Sequence, residues 1–108
     1  MDQTMLVFPK GNDVVVTARF PEISDGTGIT AEFYTKPDRT TDDSDPAVSV
    51  YSSAVVDDPD FPGATMSNFS IPGTDTEATG SFWWRVDCVD VTTKRRTANC
   101  GPLLVEAV

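Results

Sequence analysis

Cys88 and Cys100 are the first residues in this chain of 108 whose type and spacing suggest chemistry. If the last two strands form a hairpin turning about Lys94, the two thiols stand directly opposite each other. A cross-strand disulfide is then geometrically possible. That register also puts Leu103 and Val105 on the face opposite Trp84 and Val86. A bulge near Gly101-Pro102 would repair it, since proline cannot donate to a ladder and glycine often marks a bulge. The competing reading is two buried, reduced thiols. Catalysis has less to draw on. Histidine is absent, which removes the commonest general base and the commonest metal ligand. No Gly-x-Ser-x-Gly elbow and no glycine-rich phosphate loop occurs. Asp42-Asp43-Ser44-Asp45 and Asp57-Asp58-Pro59-Asp60 are oxygen-rich in the way calcium loops are. Neither has the EF-hand spacing, and solvated loops are the simpler reading. No catalytic, metal or cofactor residue is therefore assigned, and an enzyme is not expected.

The residues suited to contact lie close by. In Phe82-Trp83-Trp84-Arg85-Val86-Asp87-Cys88, alternation sends Phe82, Trp84, Val86 and Cys88 inward and Trp83, Arg85 and Asp87 outward. An outward Trp83 beside Arg85 has the composition of an interface hot spot. The plainer alternative is a tryptophan lying on its own sheet. Lys94-Arg95-Arg96 places three of the eight basic residues at one turn. It could meet an acidic surface or simply be a solvated tip. Trp83, Arg85, Lys94, Arg95 and Arg96 are the candidate contact residues.

These residues need strands to hold them. Val14, Val16, Ala18 and Phe20 share one face, with Thr17 and Arg19 on the other. Ile29, Ala31 and Phe33 oppose Thr30, Glu32 and Tyr34. Period two with one apolar face means a strand packed on one side. Glycine, proline and aspartate punctuate the chain at short intervals. About seven antiparallel strands are predicted, near 4–8, 14–20, 29–35, 48–53, 65–71, 81–91 and 97–107. Pro37–Pro46 reads as an exposed, mobile loop. The predicted fold is all-β, an Ig-like β-sandwich, with residues 1–108 as a single domain. A small barrel is the alternative.

The net charge is −9. It argues against nucleic acid and against anionic membrane surfaces as partners. No apolar run is long enough for a membrane-spanning helix. The first residues lack the pattern of a signal peptide, so synthesis in the cytoplasm is expected.

Three stretches carry a family likeness: GITAEFYTKPD (Gly28–Asp38), GSFWWRVDCVD (Gly80–Asp90) and RRTANCGPLLVEAV (Arg95–Val108). The late pattern rests on Gly80, Trp84, Val86 and Asp90, then on Gly101, Leu103 and Val105. In these features the chain resembles small Ig-like structural proteins of tailed bacteriophage virions, especially phages of actinobacteria. It is also similar to the N-terminal Ig-like domain of baseplate upper proteins. The resemblance implies a capsid decoration or minor capsid protein, located in the virion and bound to the major capsid protein. A homo-oligomer is compatible with that role, and a trimer at a local three-fold would be natural for it by analogy. The alternative it leaves open is a tail or baseplate adaptor or host-surface binding module. The double tryptophan and the two cysteines depart from the family pattern.

Overall fold

A computed structural model describes residues 5–90, 92 and 94–107. The strands are β1 (Leu6–Pro9), β2 (Val14–Phe20), β3 (Thr30–Lys36), β4 (Ser49–Ala54), β5 (Val56–Asp57), β6 (Thr65–Ile71), β7 (Gly80–Val89) and β8 (Arg95–Glu106). They form a five-stranded sheet in the order β1-β8-β7-β3-β4 and a three-stranded sheet in the order β2-β6-β5. Two packed sheets of this kind make an all-β sandwich. Thr4 and Val91, included in the predicted strands, and Val108 lie outside the described residues.

The core sits between the sheets. Phe33 on β3 is fully buried. Its ring lies 6.0 Å from Trp84 of β7, 5.6 Å from Phe69 of β6 and 6.2 Å from Tyr51 of β4. Phe8, Phe20, Val86, Leu103 and Val105 complete the same cluster. The alternation read in β2 holds, with Val14, Val16 and Ala18 half-buried and Phe20 buried.

Two features differ from the predicted set. An additional two-residue strand, β5, pairs with Thr65 and Met66. β1 runs parallel to β8, with Leu6 opposite Leu103 and Pro9 opposite Glu106. The turn after β1 carries the chain across to the other sheet. β1 and β2 therefore cannot pair, and β1 takes the open edge of β8 instead. That turn is locked to the 3₁₀ turn Gly73–Asp75. Gly73 N–H donates to Asp13 Oδ1 at 2.6 Å, and Gly11 N–H donates to the Thr76 carbonyl at 3.0 Å. A Cβ at Gly73 would come within 2.3 Å of the Gly11 carbonyl oxygen, so only glycine fits there.

The β7–β8 hairpin does not bring Cys88 opposite Cys100, as the possible cross-strand disulfide required. The turn closes nearer the end of β7 than a turn about Lys94 would, with Val89 opposite Arg95. Asp90 Oδ1 causes this by accepting from the Thr92 and Lys94 N–H groups. Cys88 then faces Arg96, and Cys100 faces Arg85. Cys88 is in the core, whereas Cys100 shares the outer face with Arg85, and both are free thiols. The register shift falls between Val86 and Asp87, where Ala98 is the extra residue, and not at Gly101-Pro102. This bulge does return Leu103 and Val105 to the same face as Trp84 and Val86.

Candidate functional site

The outer face of the five-stranded sheet is divided into an ionic half and an apolar half. Register places Glu32, Tyr34 and Lys36 of β3 beside Asp87, Arg85 and Trp83 of β7. It places Thr97, Cys100, Pro102 and Leu104 of β8 on the far side of β7, with Val7 of β1 beyond Leu104.

The ionic half centres on Asp87, which is 1% exposed although it lies on the outer face. Its carboxylate accepts from Arg85 Nε at 2.9 Å, Arg95 Nη1 at 3.2 Å and Thr97 Oγ1 at 2.9 Å. Arg85 also donates to both oxygens of Asp43, at 3.1 and 2.8 Å. Its guanidinium lies 4.2 Å above the Tyr34 ring, a cation–π contact that buries the tyrosine. Arg95 reaches Glu32 as well, and donates to the Tyr34 hydroxyl at 2.8 Å. Burial, followed by the nearby Glu32 charge, raises the Tyr34 pKa.

Asp43 comes from the loop expected to be mobile. The structure ties that loop down. Lys36 Nζ pairs with Asp43 at 2.5 Å and donates to the Thr41 carbonyl at 2.8 Å. Within the loop, Asp38, Asp42 and Asp45 each accept from the backbone N–H two residues on. Asp25, Asp58 and Asp90 do the same in other loops. Much of the acidity of the chain is thus spent on closing turns. Among the described residues no three His, Cys, Asp or Glu side chains gather as a metal-binding group.

Hydrogen bonds from Arg85 and Lys36 depress the Asp43 pKa from its ordinary 3.8 to about 2. A depressed carboxylate stabilises the fold above its unfolded pKa and loses that contribution as pH falls through the folded one. Between about pH 4 and pH 2, melting temperature should therefore fall. An Asp43→Asn variant should start less stable at neutral pH and fall less steeply in that window. Equal slopes for the two proteins would show that Asp43 is not held by its two cations.

The apolar half contains Trp83, Pro102, Leu104 and Val7, with Met5 exposed just ahead of β1. Trp83 is half-buried, and the Arg39 guanidinium lies 5.6 Å from its ring. Alternation alone accounts for this strip, because Leu103, Val105 and Phe8 point into the core and their neighbours must point out.

The five candidate contact residues are therefore separated. Trp83 belongs to the apolar strip. The charges of Arg85 and Arg95 are engaged within the chain. Lys94 and Arg96 flank a different cavity, at the loop end of the sandwich, with Ile23, Ile29, Cys88 and Asp90. Pro102, Leu104 and Val7, which extend the Trp83 surface, were missed in the sequence. The register that joins them across three strands is set by the Ala98 bulge.

No protein-family model, curated protein or solved structure matches this chain.

Proposed function

We propose that this protein is a structural contact protein of a tailed-phage particle. It acts as a capsid decoration or minor capsid protein, and it binds the shell subunit through the Trp83 strip. The observation that carries this reading is the apolar row Trp83, Pro102, Leu104 and Val7, set beside the ionic network on the same sheet face. A partly exposed apolar strip beside charged groups suits a protein partner. The phage setting comes from the likeness of the late strands to virion Ig-like proteins. Many identical copies on a symmetric shell would turn a small interface into firm retention.

The test has two parts. Particles are purified, heads are separated from tails, and each fraction is read by mass spectrometry. Presence in heads at a copy number near that of the shell subunit supports decoration. Presence in tails at low copy supports the adaptor reading instead, and absence from both ends the virion proposal. Trp83→Ala should then keep the melting temperature within a few degrees and weaken shell binding at least about tenfold. Unchanged binding would remove Trp83 from the interface.

A further inference from the structure

The loops 21–29 and 58–64 lie at the far end of the sandwich, where Asp90, Thr92 and Lys94 of the hairpin turn are also found. Thr65 Oγ1 donates to the Ile23 carbonyl at 3.0 Å, and Asp58 N–H donates to the Ala64 carbonyl at 3.0 Å. Asp58 is buried and pairs with Arg19 at 2.9 Å. This end carries two unlike features. One is a hollow of about 300 Å³ with Ile23, Ile29 and Cys88 in its lining and Lys94 and Arg96 beside them. The Asp90 carboxylate in the same lining is committed to the hairpin turn. Among the described residues, neither Lys94 nor Arg96 has an ion-pair partner. The other is Phe61, which is 57% exposed. It rests near the Arg19 guanidinium at 5.0 Å, which also holds Asp60 at 3.4 Å, while exposed Asp57, close in sequence, has no ion-pair partner among the described residues.

We propose that this end joins copies of the chain, with Phe61 of one copy entering the hollow of another and Asp57 meeting Lys94 and Arg96. An exposed aromatic ring with the unpaired carboxylate of Asp57 near it in the chain complements an apolar hollow flanked by cations. With a net charge of −9, most other approaches of two copies bring like charges together, so this pairing also selects the orientation. Both features lie at the same end. A two-fold axis can therefore satisfy both contacts at once, each Phe61 entering the other copy. The Trp83 face plays no part and stays free, so this contact stands independently of shell binding.

Sedimentation velocity of the full chain tests it, from about 10 µM to about 1 mM at physiological salt, where overall repulsion is screened beyond about 8 Å. A reversible dimer is expected. Phe61→Ala, and separately Lys94→Glu with Arg96→Glu, should each weaken it at least about tenfold. Mixing the Lys94→Glu/Arg96→Glu protein with an Asp57→Lys protein should restore association that neither shows alone. Trp83→Ala should leave it unchanged. A three-membered ring lost on Phe61→Ala would support the same contact. A monomer throughout, or association insensitive to Phe61→Ala, would overturn it.

Discussion

Phe33→Ala is expected to cost about 4 kcal/mol, the largest single loss in the molecule, because a large buried ring is removed with little prospect of collapse. The ring bridges both sheets through Phe69, Trp84 and Tyr51. The backbone around it is hydrogen-bonded to strands on both sides, β4 and β7, so β3 cannot shift to fill the space. A domain of this size has about 5–15 kcal/mol in total. The variant should therefore be marginal at room temperature. Urea unfolding followed by tryptophan fluorescence should show a much lower midpoint with an unchanged slope. A loss below about 1.5 kcal/mol would mean that the sheets close over the cavity.

Asp87→Ala should be the most damaging change outside the core, costing about 2–4 kcal/mol. It removes the acceptor shared by Arg85, Arg95 and Thr97. The cost falls mainly on Arg85, whose side chain is 18% exposed, and less on Arg95, which is 44% exposed and better screened. Arg85 would keep Asp43, which limits the loss. Asp87→Asn keeps the shape but turns an amide N–H₂ toward donors, so it should recover only part of the stability. If Asp87→Asn matched the parent protein, the charge on Asp87 would contribute little and packing would be its whole role.

Much of this architecture was legible where one physical rule dominated. Val14–Phe20 alternates cleanly because one face meets the core and the other meets solvent. The inward set Trp84, Val86 and Cys88 follows from the same rule. Burial on the outer face was not legible. Tyr34 and Asp87 occupy positions that alternation assigns to solvent, yet Arg85 and Arg95 cover them, and Asp43 arrives from a loop about forty residues away in sequence. The length of the hairpin depended on one carboxylate, Asp90, and that moved Cys88 away from Cys100. A local signal for it was present. Asp25-Gly26-Thr27, Asp38-Arg39-Thr40, Asp42-Asp43-Ser44 and Asp90-Val91-Thr92 share an aspartate followed two residues later by a hydroxyl, and each closes a turn. β5 was too short to show any period. Phe61 drew no notice because aromatic residues in acidic loops do not alternate with anything.

The parallel pairing of β1 with β8 has a mechanical consequence. Pulling the two ends of the chain apart drags these strands in opposite directions along their common axis. Their hydrogen bonds then bear load together in shear, whereas the antiparallel β7–β8 hairpin, opened from its turn, would yield one bond at a time. The domain should therefore resist stretching between its ends far better than its modest size suggests, and the first event under force should be the release of β1.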